Sequence, residues 1–482
     1  MTTDATLKQP SVFKFSCLTA MFERFGFYIL TYTLVLFAKE KYGITDSQAF
    51  LIFGIFTALA FVLPAIGGYL ADNVYGIKRS MLLGLILETV GLSMLAIPNY
   101  KISLIALAFV VTGVGFFRTG PNSILGRSYK DKDPRIDSGF TLFYMAINVG
   151  GISAAIASGL LQKYFGWNIA FLVAGLGGFT SIILYFIFKH TAKGLDSPVG
   201  EAKKISAKAI LALPIGLIAI IAICSFLILH NKIAYAFLDL VIAALLGYYI
   251  FEIIRSPKKE KLKIIACLCL IIIGMLYFIF YMQLYTSLAL FIERNVDRTI
   301  LGFQVPTELY FSLNPFWVIV MSPLLAMFYK WVAKKYNHDF AITTKFTVGL
   351  FAVTLAFFIL SASSMFADSS FKVASFWIAA VLGFITLGEM LISALGPAMV
   401  THILPKRMYG VTMGAWFAST GFAAAIAGVF AGIANVPKEV VDPQAILHIY
   451  SSAFLKIGAV GLIFSIIVLF ISPFIKRMAA LK

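Results

Sequence analysis

Charge is what this chain lacks. Only 13% of its 482 residues are Asp, Glu, Lys or Arg, while 60% are hydrophobic. A soluble domain carries charge on about a quarter of its residues, so the water-soluble classes are excluded. Cysteine is scarce too, and Cys17, Cys224, Cys267 and Cys269 all stand inside hydrophobic runs, which argues against disulfides and thiolate metal sites. The five histidines have no ligand spacing, so no metal or other cofactor is expected. Neither a serine nucleophile motif nor a nucleophile–base pair is present, and the chain is not expected to be an enzyme. A net charge of +17 does not point to nucleic acid, because the basic residues lie in short loops between apolar runs. The first apolar run is too long for a cleaved signal peptide and carries two charges at its centre.

What the chain has is apolar runs of bilayer-spanning length. Fourteen are expected, near 12–38, 48–71, 79–98, 102–128, 138–162, 168–188, 207–230, 233–254, 262–292, 307–333, 341–365, 370–403, 409–434 and 448–475. An even count places both termini on one side. Lys78 and Arg79, the stretches 127–135, 189–208, 255–263 and 330–335, and Lys406 and Arg407 all fall on that side, which predicts cytoplasmic termini. The spans at 207–230 and 233–254 interrupt a six-plus-six pattern. The expected organisation is a six-helix bundle over 1–190, a linker with an inserted hairpin over 191–261, and a second six-helix bundle over 262–482, an all-α membrane protein.

Function is expected from the polar residues inside these spans. Glu23 and Arg24 fall near the middle of the first, where one charge costs about 2.5–3.5 kcal/mol on insertion scales. Arg24, Tyr28 and Tyr32 recur at helical spacing, so they share a face with Glu23 beside it. This reads as the lining of a cavity; the alternative is a buried ion pair that only fixes packing. Arg118 lies within the span at 102–128, beside Gly120-Pro121, and Asn148 follows in the next span. Asn314-Pro315 breaks the span at 307–333, Glu389 sits midway along 370–403, and Trp416 lies in 409–434. Glu88, Asp239 and Lys456 are assigned to packing. Gly67 and Gly68 permit close helix approach, and Asp72 with Lys78 and Arg79 forms a charged helix end suited to latching neighbours.

The first half thus carries one net positive charge around the expected cavity (Glu23, Arg24, Arg118), and the second one negative charge (Glu389). Such a pair of walls suits a zwitterion, its carboxylate toward Arg118 and its ammonium toward Glu389 and Asn314, with Asn148 on a peptide bond.

Glu-Arg-Phe-Gly-Phe-Tyr at 23–28 resembles the first-helix signature of the proton-dependent oligopeptide transporter family of the major facilitator superfamily. So do Gly113-Val114-Gly115-Phe116-Phe117-Arg118, Asp133-Pro134-Arg135, Phe143-Tyr144-Met145-Ala146-Ile147-Asn148, Leu313-Asn314-Pro315-Phe316-Trp317 and Gly388-Glu389, in family order. The resemblance implies a major facilitator fold with an inserted two-helix hairpin and proton-coupled import of di- and tripeptides by alternating access, in a plasma (bacterial inner) membrane. Implied partners are short peptides, protons and the lipid bilayer, not nucleic acid, with the chain a monomer. Implied substrate-binding residues are Arg24, Tyr28, Tyr32, Arg118, Asn148, Asn314, Glu389 and Trp416, and implied proton-coupling residues are Glu23 and Glu389. Glu23 is expected to pair with Arg118 when no substrate is bound.

Several positions depart from the family pattern. Ala20 stands where a glutamate is usual, Arg118 where lysine is, and Met282, before Gln283, where another glutamate is. Thr31 replaces an arginine and Phe61 a tyrosine. With two acidic positions missing, a non-peptide solute (a carboxylate-rich metabolite, a siderophore-like or a drug-like compound) carried with weak or no coupling is the alternative.

Overall fold

The computed structural model describes residues 8–130, 133, 135–202, 207–336, 340–393 and 395–479. Its helices are α1 (Phe13–Tyr42), α2 (Asp46–Leu70), α3 (Ile77–Met94), α4 (Tyr100–Phe117), α5 (Gly120–Arg127), α6 (Ile136–Phe165), α7 (Trp167–Phe188), α8 (Pro198–Glu201) and α9 (Ala207–Leu229). There follow α10 (Asn231–Arg255), α11 (Lys258–Tyr281), α12 (Ser287–Asn295), α13 (Leu313–Tyr336), α14 (Ile342–Ser363), α15 (Ser375–Ile392), α16 (Gly396–Ile403), α17 (Tyr409–Ala431) and α18 (Pro443–Ala479). Two minimal strand pairs lie in the loops of the second half: Val296–Asp297 runs parallel to Val373–Ala374, and Thr299–Ile300 antiparallel to Phe303–Gln304.

Among the described residues thirteen helices are long and apolar enough to cross a membrane. The remaining expected span is α3, whose 18 residues reach about 27 Å but include Lys78, Arg79 and Glu88. α9 leaves Leu211, Ile215 and Ile218 some 70% exposed along one face, and α18 does the same with Phe470. Apolar stripes of this kind suit lipid, not water.

Contacts divide the chain into two compact units, one of residues up to Phe37 with Leu59–His230, the other of Ala38–Ala58 with Asn231–Lys482. The two helices of the inserted hairpin fall in different units. In the first, Ile220 of α9 lies beside Thr112, Gly115 and Phe116 of α4. In the second, Tyr235 and Tyr249 of α10 donate to the Ala425 carbonyl and the Thr412 hydroxyl of α17, each at 3.0 Å.

Inside the first unit the helices approach backbone to backbone. A Cβ on Gly67 would lie 2.0 Å from the Gly115 carbonyl oxygen, so α2 can meet α4 only through glycine. Likewise a Cβ on Gly113 would lie 2.5 Å from the amide nitrogen of Glu88, which locks α3 onto α4. In a bilayer, where apolar surface supplies little drive for helices to associate, this packing is the main source of adhesion.

The charged end expected after Gly67 is a real latch, though its partners lie far along the chain. Asp196, 6% exposed, accepts the Ile77 amide at 2.6 Å and so caps α3, whose own N-cap position is Gly76. Lys78 stands 3.7 Å from Asp196 and 3.3 Å from Glu201, and Arg127 donates to the Asp196 carbonyl at 2.9 Å and to Asp72 at 3.3 Å. This gathers three of the basic clusters at one end of the first unit, as the one-sided charge pattern requires. Asp196→Ala should cost about 1–3 kcal/mol, the penalty for orphaning a buried amide and a cation, whereas Glu201→Ala, at an exposed pair, should cost less than about 1 kcal/mol. Thermal unfolding of the two variants in detergent checks the order.

Candidate functional site

Polar residues within the spans gather in two clusters, one in each unit. The first is built on α1. Glu23 and Arg24 are 1% and 6% exposed, and the guanidinium grips the carboxylate with both arms, Nε to Oε2 and Nη2 to Oε1 at 2.6 Å. A forked, buried pair of this kind costs about 3–5 kcal/mol to break from one side. Arg24 also lies over the rings of Phe27 and Tyr28, at 4.8 and 5.9 Å. Tyr28 and Tyr32 stack one turn apart, centroids 5.4 Å and planes 9° apart, so the expected shared face is real. α6 comes close enough for a Cβ on Gly151 to touch the Tyr28 ring and the Tyr32 hydroxyl.

Arg118 lies within the span Tyr100–Arg127, as expected, but at a break between two helices. It ends α4, and the chain restarts as α5 at Gly120 because Pro121 has no amide hydrogen to continue the ladder. The expected Glu23–Arg118 pair is absent: among the described residues the ion pair of Glu23 is with Arg24, whose fork occupies both carboxylate oxygens. Arg118 instead donates to the Ala60 carbonyl at 3.2 Å and lies 4.3 Å over the Phe61 ring. Where a tyrosine would offer a hydroxyl, Phe61 offers its face. Asn148 turns its amide back onto the Tyr144 carbonyl of its own helix at 2.9 Å.

The surroundings of Glu88 are what sequence reasoning did not show. Assigned to packing, it is 1% exposed, and among the described residues neither carboxyl oxygen receives a hydrogen bond. Glu23, Arg24 and Arg118 are its charged neighbours. One signal was available: Gly84, Glu88 and Gly91 recur at helical spacing, so Glu88 stands on the small-residue face by which α3 packs.

The second cluster lies where helices of the second unit break. Glu389 is in the last turn of α15, not midway along a span, since α15 ends at Ile392 and Gly396 starts α16. Asn314 opens α13 after a 3-10 turn over Thr307–Ser312, so the break precedes Asn314-Pro315. Its amide donates to Glu389 Oε2 at 2.7 Å and to the Thr386 hydroxyl at 3.0 Å. Tyr281, at the end of α11, also faces Glu389, and its hydroxyl lies 3.4 Å from that of Tyr285 across the turn Met282–Tyr285. Gln283 is held by the Ala427 carbonyl at 3.2 Å and by the Ser287 hydroxyl at 2.7 Å. Trp416 is not brought to Glu389. It is 3% exposed, filling the slots at Gly274 and Gly396 beside Phe278 and Phe346.

Asp133 and Arg135 make a local turn ahead of α6. The Arg135 guanidinium forks onto the Asp133 carboxylate at 3.0 and 2.8 Å and holds its pKa down at about 2. Pro134, between them, lies outside the described residues.

Arranged this way, the first cluster presents a guanidinium held, among the described residues, by a carbonyl and a ring face, and the second a carboxylate held by an amide. The model of the POT family matches residues 78–449. Dipeptide and tripeptide permease A of Proteus mirabilis is 34% identical over 473 residues, covering 98% of this chain and 96% of that protein. The permease A of Escherichia coli is 33% identical, covering 98% and 94%. A solved bacterial homologue of the human drug peptide transporters PepT1 and PepT2 superposes with a TM-score of 0.85 at 30% identity, over 97% of this chain and all of that one. With matches end to end, and with the family's charged residues placed at helix breaks and on the shared face of α1, this membrane protein belongs to the POT family, the proton-dependent oligopeptide transporters of the major facilitator superfamily.

Proposed function

We propose that the chain imports di- and tripeptides together with protons, as a multi-pass monomer in the plasma (bacterial inner) membrane with both termini cytoplasmic. The two permease relatives are named for these substrates. The observation that carries the reading lies within each unit by itself: Arg118 lacks an anionic partner among the described residues, and Glu389 lacks a cationic one. A free guanidinium takes a carboxylate, and a carboxylate braced by an amide takes an ammonium. No step of this reading is catalytic.

Arg118 binds the peptide's C-terminal carboxylate, and Glu389 with Asn314 its N-terminal ammonium. The half-exposed Asn148, whose amide both donates and accepts, serves the peptide bond once its own-helix contact opens. Tyr28 and Tyr32 give a flat, amphipathic wall beside Arg24, and Trp416 backs the second cluster as packing. Glu23 and Glu389 link peptide to proton, because each carboxyl stands next to groups that bind substrate. Alternating exposure of the site to the two sides then turns a proton gradient into peptide accumulation.

Arg118→Ala should raise the apparent Kd for dipeptides about ten- to a hundredfold, the loss of one charge-assisted hydrogen-bond pair, and leave C-terminally amidated analogues within about threefold. Competition for labelled-dipeptide uptake into proteoliposomes measures both; equal losses would retire the carboxylate clamp. Glu389→Gln should weaken free-amine dipeptides about tenfold and spare their N-acetylated analogues in the same assay. Equal weakening would take the ammonium away from Glu389.

A further inference from the structure

Within the first unit one buried carboxyl receives no hydrogen bond among the described residues. Both oxygens of Glu88 are inside the protein, and the two guanidiniums of the cluster are among its charged neighbours. Arg24 is turned away to Glu23, and Arg118 to Ala60 and Phe61. What Glu88 does meet is the carboxyl of Glu23. Two carboxylates have no hydrogen to share, so such a contact holds only when one of them carries a proton. The fork of Arg24 already takes both oxygens of Glu23, which leaves Glu88 as the carrier. Ala20, one turn before Glu23, contributes no acid of its own, and it is 3% exposed.

We propose that Glu88 is the proton-binding carboxyl of this transporter, its hydroxyl donating to the Glu23 carboxylate. The step is simple in its balance: a proton from water bonds to one Glu88 oxygen, no other bond forms or breaks, and the cluster gains one positive charge. Protonated, Glu88 leaves Arg118 unclaimed for the carboxylate of a substrate. Ionised, it becomes the nearest free anion to Arg118 and competes with that carboxylate. Proton and peptide therefore bind with positive coupling, and each strengthens the other by the same factor. The groups that bear on this titration are Glu23 and Arg24 from α1 and Arg118 from the end of α4, with Tyr28 next beyond them. α7 meets α3 at Gly175 and Gly178, beside Ser93 and Thr89, and adds no charge there. Gly113 against the Glu88 amide keeps the carboxyl's origin fixed, so its environment is set by the neighbours and not by movement of α3 on α4.

The inference rests on the proton-coupled reading above, and the test separates the two. Purified protein in proteoliposomes is given labelled dialanine, with and without an imposed pH difference. A difference of about one unit can concentrate peptide up to about tenfold when one proton accompanies it. Wild type should accumulate. Glu88→Gln, an isosteric stand-in for the protonated acid, should keep dialanine counterflow within about twofold but bring the accumulation ratio to about one, while Glu88→Asp should retain partial accumulation. In lightly buffered detergent, dialanine should draw protons into wild type and none into Glu88→Gln, as read by a pH-indicator dye. Accumulation by Glu88→Gln equal to wild type, or undiminished proton uptake, overturns the assignment. Should Glu88→Gln fail to fold, the assignment fails if Glu88→Asp leaves the pH profile of dialanine binding where wild type has it. Wild type without counterflow would sink the peptide reading, and wild type with counterflow but no response to pH would sink the coupling.

Discussion

An ion stripped of water must find its compensation within a few ångströms, and this molecule is arranged around that demand. In an apolar interior the only compensating groups are opposite charges, hydrogen-bond donors, ring faces and the backbone ends exposed where a helix stops. Three charged residues of the two clusters show how. Arg24 has a carboxylate and two rings, Arg118 a carbonyl and a ring, and Glu389 an amide. Glu88 has two guanidiniums among its neighbours but receives no hydrogen bond among the described residues.

Helix breaks do the second part of the work. α4 stops at Phe117, α11 at Tyr281, and α15 at Ile392, each followed by a further helix after a short turn. Arg118, Tyr281 and Glu389 sit at these stops. A continuous helix consumes its own backbone polar groups. A broken one leaves several free, and lets a side chain leave the helix axis at an angle. Glycine and proline next to the break, as in Gly120-Pro121, are the sequence's means of producing it.

Much of this was legible in the sequence. Charges in apolar runs mark themselves, because membrane composition leaves so few others; Glu23, Arg24, Arg118 and Glu389 needed no structure to be found. Helical spacing placed Tyr28 and Tyr32 together, and the stacked rings agree. Partners were less legible. Arg24 takes Glu23 so fully that Arg118 is left with Phe61, and nothing in the spacing chooses between the two arginines. The surroundings of Glu88 were not legible because they come from α1 and α4, far away in sequence, while its own helix reads as an ordinary span. The exact stops of α4 and α15 escaped too, since an apolar run does not end where its helix does.

One consequence follows from Glu23 and Arg24 being consecutive in a single helix. Their bond is carried along unchanged by any tilt or slide of α1, so it cannot report, latch or drive a change of shape. Only contacts that join separate helices stretch when helices shift: Arg118 to Ala60 between α4 and α2, and Asn314 to Glu389 between α13 and α15. The strongest electrostatic bond in the first cluster is thereby mechanically silent, and the weaker links beside it are the ones able to sense motion.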